Sequence, residues 1–222
     1  SDWFKQLVDG AESWHRGLHR IGGGRIQMAP EYARADLSPY FRGNGSLTVD
    51  TDAYRAAEAE GFANWTFAVG GLVAEPATLT MADIRALPQR TQITRHDCVE
   101  GWSAIGEWTG PQLSTILEAA QVLPEARFVV FRCADTLNGA IYYESCDLDD
   151  AFHAQTIIAH QLNGEPLPVI NGAPLRLRIE RQLGYKHAKY LTGVDLVASL
   201  DGIEGGNGGY WEDRGYQWYA GI

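Results

Sequence analysis

The stretch TRHDCVEGWSAIGEWTG, residues 94–110, contains the first of only three cysteines in a chain of 222 residues. An arginine and a histidine stand just before Cys98, and nearby positive charge favours the thiolate form of a cysteine. Glu100 and Trp102 follow at positions that can flank a pocket. From the residues alone, three interpretations of Cys98 stay open: it attacks a substrate, it binds a soft metal, or it is a buried and unreactive thiol.

The overall composition is that of an ordinary globular protein, with 45% hydrophobic and 21% charged residues. The formal net charge of −10 disfavours nucleic acid or an anionic membrane as the main partner, because both attract a surplus of Lys and Arg. A local basic pocket for a small anion is compatible with this charge. The sequence has no run of about 18 apolar residues, so it predicts no membrane-spanning helix.

The spacing of apolar residues predicts short helices and strands in an irregular order. Helices are expected over residues 1–24, 51–60, 80–87 and 111–120, with helical stretches inside 149–162. Strands are expected over residues 65–69, 90–97, 127–133, 141–143, 175–179 and 190–200. This order is not a regular βαβ repeat. It indicates the α+β class, with mixed β-sheets and short helices.

Other candidate reactive residues have simpler interpretations. His15 and His19 have the i, i+4 spacing of zinc ligands, but Arg16 stands where the metalloprotease pattern requires Glu. We therefore expect them on an exposed helix face. Cys133 and Cys146 lie at the ends of predicted strands, and free cysteine usually packs as a small hydrophobic residue. Both are predicted to be structural.

Two segments carry a resemblance to a known family. HDCVEGWSAIGEWTGPQL, around Cys98, resembles the cysteine segment of the sulfite oxidase family of molybdopterin oxidoreductases. NGEPLPVINGAPLRLRIERQLGYKHAKYLTGVDL resembles the second signature of the same family. The branch that it resembles most contains the bacterial periplasmic methionine-sulfoxide reductases. The resemblance implies a sulfite-oxidase-type molybdopterin-binding fold, with an oxidoreductase domain over residues 38–222 and an N-terminal helical extension over 1–37.

The resemblance also implies a cofactor, mononuclear molybdenum bound to molybdopterin. Its metal is held by two pterin sulfurs and one protein thiolate, the role that falls to Cys98, and thiolate is the soft anionic ligand that a protein supplies. Asn171 is expected to contact the cofactor and Arg176 its phosphate, since a guanidinium can bond two phosphate oxygens. The second signature implies that His187, Ala188 and Lys189 also contact the phosphate, through backbone N–H groups and the charge of the lysine.

Further cofactor contacts are implied in the first half of the chain. The segment Tyr-Phe-Arg-Gly-Asn, residues 40–44, resembles the aromatic segment that contacts the pterin in this family, which assigns Phe41, Arg42 and Asn44 to the cofactor. His96 and Asp135 are assigned to it as well. Sulfite oxidases continue this aromatic segment with Arg-Asn-His, and the arginine and histidine are missing here.

The residues around Cys98 bear on the substrate. Sulfite oxidases place an arginine shortly after the cysteine, whereas this chain has Glu100, which would repel a doubly charged sulfite. The expected reaction is therefore oxygen-atom transfer, as reduction of an S-oxide or N-oxide, with Cys98, Glu100 and Trp102 as catalytic residues. Glu100 would relay protons or tune the site, and its pKa would rise if it is buried. The aromatic residues of the tail could form further pocket walls, although packing in the core is expected for most of them: Tyr210, Trp211, Tyr216 and Trp218.

Three alternatives stay open. The chain could be a sulfite-oxidising enzyme of the same family. It could be a metal-free cysteine hydrolase that uses Cys98 with His96 as base, since residues two apart on a strand share a face. It could also be a non-catalytic relative that keeps the fold and binds a partner.

The sequence contains no Cys-x-x-Cys-His heme motif. Electrons for a small-molecule substrate are therefore expected from a separate partner, a membrane heme protein or a soluble cytochrome. The related branch is exported folded by the twin-arginine route, so a periplasmic location is expected, with the signal outside this chain. A chain that begins with Ser is compatible with processing.

Overall fold

The computed structural model of the protein describes residues 27–222, and the predicted helix over 1–24, with His15 and His19, lies outside these residues. Three β-sheets with short helices between them make up the described part. The strands are β1 (Thr66–Gly71), β2 (Ala77–Thr80), β3 (Gln89–Cys98), β4 (Trp102–Pro111), β5 (Phe128–Leu137), β6 (Ala140–Asp147), β7 (Thr156–Ala159), β8 (Gln161–Leu162), β9 (Glu165–Pro166), β10 (Arg176–Ile179) and β11 (Leu191–Val197). The helices are α1 (Asp52–Ala59), α2 (Met81–Ala86), α3 (Leu113–Ala120) and α4 (Leu148–Ala151), with 3-10 helices at Arg34–Asp36, Val169–Asn171, Gly184–Lys186 and Glu212–Arg214.

The sheets differ in strand order and direction. The largest has the order β2-β1-β11-β5-β6, in which β1 runs parallel to β11 and the other neighbours are antiparallel. A second sheet has the antiparallel order β3-β4-β8-β9, and β10 pairs with β7 in a third. The predicted α+β class, with mixed sheets and short helices, is confirmed.

Local sequence accounts for several of the predicted helices. Thr51 caps α1 by accepting a hydrogen bond from the backbone N–H of Tyr54. Thr80 and Asp83 form a capping box at the start of α2, in which each side chain accepts from the backbone N–H of the other residue. The strands predicted over residues 127–133 and 141–143 are found as β5 and β6, which pair with each other.

Two expectations about the middle of the chain need correction. The helical stretches predicted within residues 149–162 are found only in α4. The rest of this prediction is wrong, because β7 and β8 lie within residues 156–162. All four residues of β7 are buried, so the strand lacks the alternation that marks a half-exposed strand. Strand β4 was not predicted either, although it pairs with β3 along its whole length.

The core holds the strands that carry the site. Its largest cluster joins β1, β5 and β11 to α2, α3 and β10. A second cluster surrounds the fully buried Trp108 and includes Phe41, Ala104, Ile157 and Leu162. The guanidinium carbon of Arg178 lies 4.3 Å from the centre of the Trp108 ring. The second cluster therefore fixes β10 against β4.

Residues 27–37 lie along the edge of the second sheet. Glu31 forms an isolated antiparallel bridge with Thr94 of β3, and the backbone N–H of Tyr32 donates to Ile93 O at 2.9 Å. The division into an extension over 1–37 and a domain over 38–222 stays a prediction. Among the helices of residues 27–222, none has the length and apolar character needed to cross a membrane.

Candidate functional site

Cys98 lies at the end of β3, where the chain turns into β4. It is the last residue of β3 and pairs with Trp102, the first residue of β4. The backbone N–H of Gly101 donates to Cys98 O at 3.0 Å, and Gly101 has a φ of 84°, which glycine adopts without strain. The tight turn leaves the half-buried thiol of Cys98 at the end of the sheet, facing the opening of a cavity.

This cavity encloses about 120 Å³ and collects residues from six separate segments of the chain. Its walls include six residues that the sequence assigned to the site: Asn44, Cys98, Glu100, Asp135, His187 and Lys189. The remaining lining residues are Gly45, Ser46, Val99, Tyr142, Tyr185, Trp211 and Tyr216. Asp135 reaches the cavity from a register irregularity of β5, between Arg132 and Thr136. Chain segments distant in sequence therefore meet at Cys98.

Arg176 is a fully buried cation at this site. Its Nη1 donates to Asn171 O at 3.0 Å and its Nη2 to Asn44 Oδ1 at 3.1 Å. Both partners are uncharged, and Arg176 Nε has no hydrogen-bond partner among residues 27–222. Burial, followed by the nearby charge of Arg178, lowers the pKa of Arg176 to about 9. The guanidinium is therefore a buried charge that forms no ion pair with a carboxylate among residues 27–222.

Lys189 is a second buried cation. Its Nζ donates to the carbonyl oxygens of Ser46 and, at 3.3 Å, of Ile170. Burial and then the charge of Arg176 lower the pKa of Lys189 to about 7. The side chain packs over Gly172, which has a φ of 108°, and a Cβ at that glycine would lie 2.8 Å from Lys189 Cβ. Lys189 is thus held firmly in a site that disfavours its charge.

Two buried histidines complete this polar wall. His96 Nδ1 lies 2.9 Å from Arg178 Nη1 and must accept, so its Nε2 carries the hydrogen. His187 Nε2 lies 2.9 Å from Gln182 O and must donate, so its Nδ1 is an acceptor. Burial, together with neighbouring positive groups, holds the pKa of each ring well below its usual value. His96 Nε2 and His187 Nδ1 have no hydrogen-bond partner within the described chain.

Some of the predicted site residues lie elsewhere or act differently. The Arg42 side chain is exposed, and the contribution of this residue is its carbonyl oxygen, which accepts from Asn171 Nδ2 at 3.2 Å. Ala188 is buried in the main core. The backbone N–H groups of His187 and Ala188 donate to Gly184 O and Lys186 O, and their predicted role toward the phosphate stays a prediction.

The aromatic residues near Cys98 form a packed group beside the cavity. Phe41 and Trp102 meet edge to face at 6.3 Å between ring centres, and Trp102 lies 5.5 Å from His96. Trp102 Nε1 donates to Glu100 Oε2 at 2.9 Å, which fixes the carboxylate at the rim. Glu100 itself is exposed, so the condition of burial set for its proposed role is not met.

Two of the four tail aromatics reach the cavity. Trp211 and Tyr216 line it, with ring centres 5.1 Å apart. Tyr210 instead packs in the main core, and Trp218 packs against Phe128. The tail therefore contributes an aromatic wall to the cavity.

Several residues that line the cavity were not predicted from the sequence. Ser46 donates its hydroxyl to Asp135 Oδ2 and lies only two residues beyond Asn44. Tyr185 lies inside the second signature, beside Lys186, and Tyr142 lies on β6. Proximity to the assigned residues was a usable signal for Ser46 and Tyr185. No local pattern distinguishes Tyr142 from a core tyrosine.

Comparison with known proteins identifies the class. The sequence profile described as the oxidoreductase molybdopterin binding domain matches residues 54–201. The chain therefore belongs to this family of molybdopterin-dependent oxidoreductases.

Individual relatives agree with this assignment. The chain is 38% identical over 195 residues to an Azospira oryzae protein described as protein-methionine-sulfoxide reductase subunit YedZ1, with 88% of this chain and 68% of the relative covered. It is 33% identical over 188 residues to the protein-methionine-sulfoxide reductase catalytic subunit MsrP of Xanthomonas axonopodis, covering 79% of this chain and 58% of that protein. The chain thus spans roughly three-fifths of the length of these relatives.

A solved structure shows the same fold. The sulfane dehydrogenase SoxCD of Paracoccus pantotrophus superposes with a TM-score of 0.57 at 22% identity, over 62% of this chain and 39% of that one.

The polar wall fits the family's cofactor. Four buried polar atoms near the cavity lack partners within residues 27–222: Arg176 Nε, His96 Nε2, His187 Nδ1 and Asp135 Oδ1. They include donors and acceptors, as a pterin ring requires. The two buried cations, Arg176 and Lys189, donate only to uncharged oxygens among residues 27–222. An anionic phosphate would supply negative charge beside these cations. Cys98 places a thiol on the same cavity.

Proposed function

We propose that this chain reduces S-oxides by oxygen-atom transfer at a mononuclear molybdenum centre held by molybdopterin. The observation that carries the proposal is the shared cavity of Cys98, His187 and Lys189, in which a thiol lies close to buried polar atoms that have no hydrogen-bond partner among residues 27–222. The relatives described as methionine-sulfoxide reductase subunits support the choice of an S-oxide.

Each group of residues has a distinct role in this proposal. Cys98 holds the metal as a thiolate. Arg176 and Lys189 balance the phosphate charge. The remaining cofactor contacts are assigned to the side chains or carbonyl groups of Phe41, Arg42, Asn44, His96, Asp135, Asn171 and His187, and to the backbone around Ala188. When bound, the cofactor supplies a site that accepts one oxygen atom and passes two electrons.

The rim of the cavity selects a neutral substrate. Glu100 places negative charge beside Cys98, which repels sulfite. Val99 and Tyr216 are exposed at 48% and 40%, and both line the cavity. Sulfur makes favourable contacts with aromatic rings, so the apolar wall suits the alkyl groups and sulfur of a dialkyl sulfoxide such as a methionine sulfoxide side chain. Reduction consumes two electrons and two protons, and yields a thioether and water.

The hydrolase alternative is less well supported by the geometry. Burial raises the pKa of the Cys98 thiol, which opposes an activated nucleophile in the metal-free protein. Neither His96 nor His187 hydrogen-bonds the Cys98 sulfur in the part of the chain that the structure describes. A Cys–His pair requires such a bond.

The test compares substrates on molybdenum-loaded protein with a reduced artificial electron donor. We expect oxidation of the donor with dimethyl sulfoxide and with peptide methionine sulfoxide, and no electron release with sulfite. Sulfite oxidation without sulfoxide reduction would overturn the substrate assignment. Sulfoxide reduction by metal-free protein would overturn the molybdenum assignment.

The electron donor is a separate protein in this proposal. Relatives of this chain are described as subunits, which implies a further chain in those proteins. We propose a membrane heme protein or a soluble cytochrome as donor, and a periplasmic location for this chain. Fractionation of the native host, followed by immunodetection of this chain, tests the location.

A further inference from the structure

A buried cluster of three charged side chains joins the C-terminal segment to the largest sheet. Glu144 comes from β6, Lys186 from the 3-10 helix Gly184–Lys186, and Glu212 from the 3-10 helix Glu212–Arg214. Lys186 Nζ lies 2.8 Å from Glu144 Oε2 and also bonds Glu212 Oε1. The three side chains are at most 1% exposed. We call this group the acid–lysine cluster.

The charges of the acid–lysine cluster do not balance when both carboxyl groups are ionised. One ammonium neutralises one carboxylate, which leaves one negative charge buried away from water. An uncompensated buried charge is costly, and such a group neutralises itself by taking up a proton. One proton on the pair makes the cluster neutral.

The two carboxyl groups are placed to share that proton. A Cβ at Gly209 would overlap Glu212 Oε2 and would lie 2.7 Å from Glu144 Oε2, so both oxygens converge on one glycine. Neither oxygen of Glu144, nor Glu212 Oε2, accepts a well-directed hydrogen bond from the residues described. Burial first, and then contact with Glu212, raise the pKa of Glu144 well above its ordinary value, against the opposing effect of Lys186.

We propose that Glu144 and Glu212 share one proton in the folded protein, and that this proton, with Lys186, holds the C-terminal segment against the cavity. Trp211, next to Glu212, and Tyr216 are the cavity walls that this segment carries. Glu144, Lys186 and Glu212 are positioning residues: they act on the cavity through these two rings. This inference goes beyond the proposed reaction and does not depend on it.

Other bonds keep the segment attached when the cluster changes. The backbone N–H of Tyr210 donates to Tyr143 O at 3.0 Å, and Tyr143 OH donates to Asp213 Oδ2 at 2.7 Å. Trp218 Nε1 donates to Ser145 Oγ at 2.8 Å. Loss of the shared proton should therefore loosen the segment locally, without unfolding the protein.

The direction of the pH effect follows from the sign of the shift. A carboxyl group whose pKa is raised by folding stabilises the fold below its unfolded pKa, and loses that contribution as pH rises through its folded pKa. Lys186 keeps its charge, because the two carboxyl groups outweigh burial and raise its pKa. The segment should therefore open more often as the pH rises from the ordinary pKa of a carboxyl group towards the raised one.

The other groups that face the carboxyl pair do not reverse this direction. Burial, as the largest cause, raises the pKa of the nearby thiol and phenol groups, which keeps them neutral: Cys133, Tyr142, Tyr143 and Cys146. Asp213 is held ionised, since hydrogen bonds from Tyr143 and from backbone N–H groups outweigh its burial and lower its pKa. Asp135 lies farther along β5, and burial raises its pKa.

The test uses the full, cofactor-loaded chain and the variant Glu212→Gln, in which Lys186 and Glu144 balance without a proton. Infrared difference spectra should show that the variant lacks one protonated carboxyl band present in the wild type. Hydrogen exchange over residues 205–218, corrected for intrinsic base catalysis, should lose protection in the wild type by up to about tenfold per pH unit. In the variant, protection should be independent of pH.

Tyr143→Phe is the matched control. It removes the bond to Asp213 but keeps the shared proton, so it should lower protection at every pH while keeping both the infrared band and the pH dependence. If Glu212→Gln does not fold, Glu144→Gln on β6 provides the same test. An unchanged band and an unchanged pH dependence in the Gln variant would overturn the inference. Molybdenum content and sulfoxide turnover are measured separately and test the proposed function. The infrared band and the hydrogen exchange test only the shared proton, so the two proposals can fail independently.

Discussion

Arg176 Nη2 donates a 3.1 Å hydrogen bond to Asn44 Oδ1, which joins β10 to a loop 132 residues earlier in the chain. The arginine is fully buried, and its hydrogen-bond acceptors in residues 27–222 are uncharged. A buried guanidinium of this kind lacks an anion, and the proposed cofactor carries one. The bond also holds Asn44 at the cavity. Arg176 therefore links the proposed phosphate site to the cavity wall.

Replacement of Arg176 by Gln should reduce cofactor retention. A hydrogen bond to a charged group contributes about 1.5–3 kcal/mol, so affinity should fall by roughly tenfold to a hundredfold. Molybdenum per chain after gel filtration measures the loss. Arg132→Gln is the control, because Arg132 is half-exposed and pairs with Asp195 at 3.2 Å, outside the site. Equal molybdenum in both variants would argue against a phosphate role for Arg176.

The lowered pKa of Lys189 should make the stability of the metal-free protein depend on pH. Its pKa is lowered to about 7, so its contribution to stability is present above the unfolded pKa and is lost as the pH falls through the folded pKa. Stability should therefore decline by up to about 1.4 kcal/mol per pH unit from about pH 10 to about pH 7. Urea unfolding measures this slope, which Lys189→Met should remove. A Lys189→Met protein with the wild-type slope would contradict the assignment.

Trp108→Ala should lower the free energy of unfolding, because it removes a large side chain from the core. Trp108 is fully buried, packs edge to face with Phe41 at 5.0 Å and lies under the Arg178 guanidinium. Deleting a buried aromatic ring costs about 3–5 kcal/mol. Chemical denaturation should show this loss, whereas Tyr40→Ala, at a side chain that is 64% exposed, should change stability by less than about 0.5 kcal/mol. A loss below about 1 kcal/mol for Trp108→Ala would contradict this account of the core.

Tyr216→Ala should raise the KM for a sulfoxide and leave kcat nearly unchanged. The ring lines the cavity beside Trp211 and takes part in none of the hydrogen bonds that hold Arg176 and Lys189. An aromatic contact is worth about 0.5–1.5 kcal/mol, which corresponds to roughly twofold to tenfold in KM. Steady-state kinetics with dimethyl sulfoxide measures the effect. A change in kcat alone would place Tyr216 outside substrate binding.

Much of the fold could be predicted from the local pattern. Capping residues Thr51 and Thr80 marked helix starts, and alternation marked β1, β3 and β10. Strand β7 could not be predicted, because a strand buried on both faces has no alternation to distinguish it from a helix. Strand β4 follows a turn that starts directly after Cys98, and its glycines and tryptophans gave no clear period.

The site was less predictable than the fold. Arg176 and Arg178 alternate with apolar residues, which is typical of a half-exposed strand, yet both are fully buried. Their burial depends on Asn44, Glu180 and Trp108, which reach them through tertiary contacts that no local period reveals. The assigned segments identified most of the cavity, because family resemblance carries such contacts implicitly. The exposed side chain of Arg42 shows that a matched position need not point into the cavity.

The central claim is that Cys98 binds molybdenum. The most direct test is molybdenum per chain, by elemental mass spectrometry, in wild type and in Cys98→Ser, both produced in a host that makes molybdopterin. Cys133→Ser, at a cysteine outside the cavity lining, is the matched control. We predict close to one molybdenum per wild-type and control chain, and far less in Cys98→Ser. Folded wild-type protein without molybdenum, or full occupancy in Cys98→Ser, would contradict the account.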